Sequence, residues 1–230
     1  MGEEFVALSL PPILIGTCAA VACALPGNFL LLRRQALIGD AISHVVLPGI
    51  VAAFLVTGVI AALPMMLGAG VAALVAVGLI EVIRRLGRIE PGAAMGVVFT
   101  AMFAGGVLLL EQSDTSDVHL DVQHALYGNL ESLIWLDAFG WSSLVEWEAL
   151  KGLPPELPRM AATLAFVSGF TWVLWRPLKI SSFDEGFART VGLPTGALGL
   201  SLVVVAAIAA VAAFDAVGSI IVIAMFICPP

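Results

Sequence analysis

Long apolar runs separated by short polar breaks recur from one end of the chain to the other. Residues 8–27, 38–58, 62–83, 92–111, 160–176 and 195–214 each approach the about 20 mostly apolar residues that a membrane-crossing helix needs. A further run begins at Val217 and stops at Pro230 without a polar exit. The pattern therefore predicts six complete spans and a seventh cut short, as in a piece of a longer protein. Two intervening segments have patterns of their own. Within 112–158, the stretch HLDVQHALYGNLESLIWL sets Leu126, Leu130, Leu133 and Ile134 on one helical stripe, while Trp135, Trp141 and Trp147 suit the headgroup level. A short interfacial helix is expected there. In SSFDEGFARTVGLPTG, Ser182 or Asp184 can cap a helix, Phe183, Phe187 and Val191 share a face, and Gly192 followed by Pro194 ends it. A brief amphipathic helix is expected within 181–193.

Composition agrees with this pattern. The chain is 60% hydrophobic and 12% charged, against about a quarter charged in soluble domains. An all-α, polytopic transmembrane bundle formed by 1–230 as a single domain follows, with no separate soluble unit. Glu3 and Glu4 stand where a secretory signal would carry basic residues, so the first run is kept as a span. Cys18, Cys23 and Cys228 lie in apolar runs, where free cysteine acts as a small hydrophobe.

The net charge of −7 is informative through its distribution. Arg33 and Arg34 follow the first run, Arg84, Arg85 and Arg88 the third, and Arg176, Lys179 and Arg189 the fifth, so all three clusters fall on one side. The other side has Lys151 and Arg159 amid a loop rich in Asp and Glu. Cytoplasmic loops retain Lys and Arg. The N-terminus and 112–158 are thus expected outside, and 181–193 on the cytoplasmic surface.

Asp40 and His44 are four residues apart, hence one turn apart on one helical face. Ionisable groups in a span are costly and usually face a bundle interior or a wet path. A carboxylate and an imidazole are donors that divalent Mn, Fe or Zn accepts. A structural reading balances this one: Asp40, six residues past Arg34, can cap the second helix or pair with His44 near the interface. Pro48 and Gly49 favour a functional site, because a Pro-Gly step inside a span frees carbonyls that a cavity can satisfy. Asp215 is a candidate third ligand or outer gate, although a cap on the turn into the last helix has the stronger claim. Asp117, His119, Asp121 and His124 carry metal-capable groups at uneven spacing; a solvated acidic surface outweighs a receptor-docking face there. Glu81 beside Arg84 and Arg85 reads as an ordinary intrahelical ion pair.

FLLLRRQALIGDAISHVVLPGI resembles the signature of the ABC-3 type metal permeases, the membrane subunits of bacterial importers for manganese, zinc and iron. The likeness continues through HLDVQHALYGNLESLIW, KISSFDEGFARTVGLP and AFDAVGSIIVIAMFICPP. It implies that Asp40 and His44 line the translocation site. It also implies that Phe183, Asp184, Glu185, Gly186 and Gly192 belong to the region that docks an ATP-binding subunit. Manganese is the first choice of cargo, since LDVQHALYGNLE is closer to the manganese and iron branch than to the zinc branch. The resemblance further implies a second permease subunit, an external metal-binding receptor, a bacterial inner-membrane location and no permanently bound cofactor; nucleic acid is not an expected partner. No GxxxxGK[ST] phosphate cradle occurs, so ATP hydrolysis is expected from a separate subunit. Two rivals are a stand-alone proton-coupled metal carrier, which would want charged relays deeper in several spans, and an intramembrane metalloenzyme, which would want a ligand set such as HExxH.

Overall fold

Proline and glycine set most of the helix boundaries. The computed structural model describes residues 4–35, 38–58, 62–112, 130–137, 140–144, 149 and 151–228. A π-helical turn, Phe5–Ser9, leads into α1 (Leu10–Leu32), whose first turn holds Pro11 and Pro12, where an absent N–H costs little. There follow α2 (Ile38–Thr57), α3 (Ala62–Gly87) and α4 (Pro91–Gln112), the last beginning on proline. After the segment 113–155 come α5 (Glu156–Val173), α6 (Trp175–Phe183), α7 (Glu185–Thr190), α8 (Thr195–Val217) and α9 (Ser219–Ile227).

Among the described residues, four helical stretches are long and apolar enough to cross a membrane: Phe5–Leu32, Pro64–Arg84, Gly92–Leu109 and Thr195–Phe214. The expected run 160–176 is broken. Pro177 has no N–H for the Val173 carbonyl four residues back, and the chain bends by 69° between α5 and α6. Counted as one, that pair is a fifth candidate span. Helix α2, with 20 residues, carries the expected run 38–58 from Ile38 to Thr57. The last run is set off from the one before it at Gly218, whose φ of 83° suits only glycine.

Helix α8 is the axis of the bundle. It touches α1, α2, α3, α5, α6, α7 and α9, and 61% of its apolar window lies inside the protein, against 22–28% for the other three long stretches. Its Ala206, Ala209, Ala210 and Ala213 are fully buried. In lipid there is little hydrophobic drive between helices, so close van der Waals packing of small side chains holds them together. The apolar side chains Leu67, Val71, Leu74 and Val75 of α3 are exposed, as a hydrocarbon-facing surface requires.

Between α4 and α5, Leu130–Ser132 and Trp141–Leu144 form short 3-10 turns; Leu126 and Trp147 of the expected interfacial pattern lie outside the described residues. Trp135 differs from expectation. It is 1% exposed in a small cluster with Val6 and Ala149, and its indole N–H donates to the Ala149 carbonyl at 2.8 Å. It pegs the segment between α4 and α5 to the start of α1. Trp141 is exposed, with its ring 6.1 Å from that of Phe5.

Candidate translocation site and adjoining cavity

Helix α2 carries both Asp40 and His44, one turn apart; the Asp40 side chain lies outside the described residues. His44 is half-buried against α4. Its imidazole stacks on Phe99, centroids 5.3 Å apart with planes 20° from parallel, and meets Phe103 edge-on at 5.7 Å and 81°. Phe99 and Phe103 are themselves four apart on α4, so one helical face forms a two-sided aromatic corner around the imidazole.

The same stretch of α2 is gripped by glycines. Pro48 cannot supply the helical hydrogen bond that would end on the His44 carbonyl. A Cβ on Gly106 of α4 would lie 2.7 Å from the Pro48 Cβ, and one on Gly49 would lie 2.6 Å from the Gly68 carbonyl oxygen of α3. Glycine at 106 therefore admits the proline ring, and glycine at 49 lets α2 and α3 approach backbone to backbone.

At the end of the bundle where the basic clusters were expected, a cavity of about 340 Å³ opens between α1, α2, α3, α4, α6 and α8. Ala41, next to Asp40, is part of its wall, with Met95, Val77 and Val203. Its polar lining brings together Arg33, Arg34, Glu81, Arg84, Ser181, Ser182 and Glu185. The lining thus joins three stretches far apart in the chain, around Arg33, Glu81 and Glu185. Glu81 and Arg84 form the expected i,i+3 pair, with an N–O distance of 3.0 Å. The side-chain oxygen of Gln35, also in the cavity wall, is buried and has no hydrogen-bond partner among the described residues.

Helix α7 sits beside this cavity. Asp184, not Ser182, is its N-cap: the carboxylate accepts from the Phe187 N–H at 2.9 Å. Its C-terminal end is a Schellman turn, with Leu193 N–H bonded to the Ala188 carbonyl at 2.9 Å, Gly192 N–H to the Arg189 carbonyl at 3.0 Å, and Gly192 at φ 83°. Phe183, Phe187 and Val191 are exposed in a row. Glu185 pairs with Arg189 at 2.6 Å, and that hydrogen bond holds its carboxyl below the ordinary range.

Of the other candidates, Asp215 lies within α8, and the N-cap of α9 is Gly218, three residues further on; the Asp215 side chain is outside the described residues. Asp117, His119, Asp121 and His124 also lie outside them. Among the described residues no three His, Cys, Asp or Glu side chains come together as a metal cage. Phe99, Phe103 and Gly106 went unnoticed in the sequence, although the i,i+4 spacing of the two phenylalanines was a usable signal.

The ABC 3 transport family model matches residues 7–138 and 153–230. The chain belongs to that family. Among curated relatives, it is 36% identical to the manganese transport system membrane protein MntD of Bacillus subtilis over 95% of this chain and 71% of that protein. It is 35% identical to the zinc transport system membrane protein TroD of Treponema pallidum, over 96% of this chain but 58% of that protein. The chain thus spans less than two thirds of this second relative. Among solved structures, PsaBC from Streptococcus pneumoniae in complex with Fab is similar with a TM-score of 0.69 and 27% identity, covering 95% of this chain and 69% of that one. As an ABC 3 family member the chain is a multi-pass membrane permease, not an enzyme.

Proposed function

We propose that this chain is the permease subunit of a bacterial inner-membrane importer that carries a divalent transition metal into the cytoplasm, with manganese as the first candidate. The supporting observation is the neighbourhood of α2. Asp40 and His44 stand one turn apart, His44 is held in an aromatic corner, and the wall of a polar cavity begins at Ala41. One carboxylate and one imidazole would hold a divalent ion without caging it, which transport demands. The relatives named for manganese and for zinc are almost equally similar, so identity leaves the metal open. Affinity at mixed oxygen and nitrogen sites favours zinc over manganese; selection of manganese would rest on geometry and supply.

On this reading the end bearing Arg33, Arg84 and Arg189 is cytoplasmic, the N-terminus is outside, and α7 docks a separate ATP-binding subunit through Phe183, Asp184, Glu185, Gly186 and Gly192. A second permease subunit completes the pathway. An external metal-binding receptor approaches the outer face, with Asp117, His119, Asp121 and His124 as candidate contacts, and Asp215 is a further candidate ligand.

Uptake of radioactive manganese and zinc into proteoliposomes, with and without the ATP-binding subunit, tests this. ATP-dependent uptake that Asp40→Asn and His44→Ala each abolish, with assembly intact, is the expected result. Normal metal dependence in both variants would refute the ligand assignment. Uptake driven by a proton gradient without the ATPase would instead identify a stand-alone carrier.

A further inference from the structure

Arg33 ends α1 and reaches across to α6. Its Nε donates to Ser182 Oγ at 3.0 Å and its Nη2 to Ser181 Oγ at 2.6 Å. These contacts span 149 and 148 residues of sequence. The backbone aims the side chain: α1 closes in a Schellman turn, with Gln35 N–H bonded to the Leu30 carbonyl at 2.8 Å and Arg34 at φ 58°, leaving Arg33 at the C-cap. A Cβ on Gly199 of α8 would lie 2.8 Å from Arg33 Nη1, so that glycine makes room for the guanidinium. One turn back, Phe29 meets Trp175 of α6 edge-on at 5.7 Å. The inner end of α1 is thus attached to α6 at two points, and α6 runs directly into Asp184 and α7. Burial lowers the affinity of Arg33 for its proton, while the nearby charge of Glu185 on α7 opposes that shift.

We infer that Arg33 is a positioning residue that couples α7 to the permeation path: through Ser181 and Ser182 it makes the inner end of α1, and the cavity wall it belongs to, follow any displacement of α6 and α7. This rests on the reading that α7 docks the ATP-binding subunit. A planar guanidinium holding two hydroxyls at once transmits motion in two directions, which a single ammonium cannot. The cavity that would move extends to Ala41, beside Asp40, so motion at α7 reaches the proposed ligands without passing through α8 alone.

The test uses the full-length permease assembled with its ATP-binding subunit in proteoliposomes, measuring manganese taken up per ATP hydrolysed. Arg33→Ala and the double variant Ser181→Ala/Ser182→Ala should each lower that ratio about tenfold, within the usual span of inter-site coupling, while ATPase activity and co-purification persist. Combining all three changes should add nothing further, because they break the same contact. Arg33→Lys should recover part of the ratio. Gly199→Ala, which displaces the end of a flexible side chain rather than backbone, should lower it without any change at Arg33, and covers the case in which Arg33→Ala fails to assemble. An unchanged ratio in the serine variant and in Gly199→Ala overturns the inference, as does simple addition of the Arg33 and serine effects. Absence of ATP-driven uptake in the unsubstituted protein would instead sink the importer reading and this inference with it.

Discussion

The imidazole of His44 lies nearly parallel to the ring of Phe99, 5.3 Å away, on a different helix. That contact fixes the plane of a ring whose nitrogens are the proposed donors. Aromatic pairs of this kind contribute about 0.5–1.5 kcal/mol beyond their buried area. Phe99→Leu keeps most of the apolar volume and removes the ring. It should raise the metal concentration for half-maximal uptake by about three- to tenfold with normal expression and assembly. Concentration-dependent uptake measures this, and an unshifted half-saturation would show that Phe99 is only packing.

Gly105 and Gly106 are adjacent on α4 yet should respond oppositely to the same change. A Cβ at Gly106 would meet the Pro48 ring at 2.7 Å, whereas one at Gly105 has nothing within 4 Å. Alanine favours a helix over glycine by about 1 kcal/mol, and overpacking costs about 1–3 kcal/mol. Gly105→Ala should therefore be neutral or stabilising. Gly106→Ala should lower the melting temperature of the purified protein and shift α2. Thermal unfolding of both variants in the same detergent gives the comparison, and equal melting temperatures would contradict the grip on Pro48.

Much of this architecture is legible in the chain because apolar length is a local property. The run 195–214 appears as Thr195–Val217, and the cap-to-stop pattern around 182–194 appears as α7 with Asp184 as its cap and Gly192 in its closing turn. Even the choice between Ser182 and Asp184 has a physical outcome, since Ser182 accepts from Arg33. What escaped is tertiary. Nothing near Arg33 announces partners 148 and 149 residues away, and Trp135 reads as an interface residue until Val6 and Ala149 are seen to enclose it. The 69° bend after α5 was half visible: Pro177 announces it, but the apolar run continues across the break.

Asp184 closes the N-terminus of α7 with a single side-chain bond to the Phe187 N–H. Loss of such a cap costs about 1 kcal/mol, a large share of the stability of a helix of six residues. Asp184→Ala should speed amide exchange at residues 185–190 and weaken retention of the ATP-binding subunit. Asp184→Asn, still a good cap, should do neither. If alanine and asparagine behave alike, the charge at this position matters and the cap does not.

The Glu185–Arg189 pair makes a prediction about pH. Arg189 holds the Glu185 carboxyl below its ordinary value of 4.5, so the folded state binds that proton less readily than the unfolded chain. The pair's stabilisation is therefore fully present above 4.5 and disappears as pH falls through the lower folded value. Both side chains are largely solvated, 69% and 59% exposed, which limits the effect to about 0.2–0.5 kcal/mol. At about pH 7, Glu185→Gln should loosen α7 slightly, seen as faster amide exchange relative to the unsubstituted protein after correction for intrinsic rates. That difference should shrink in acid, because the native carboxyl then also becomes neutral. A difference that grew on acidification would mean that Glu185 is held by something other than its attraction to Arg189.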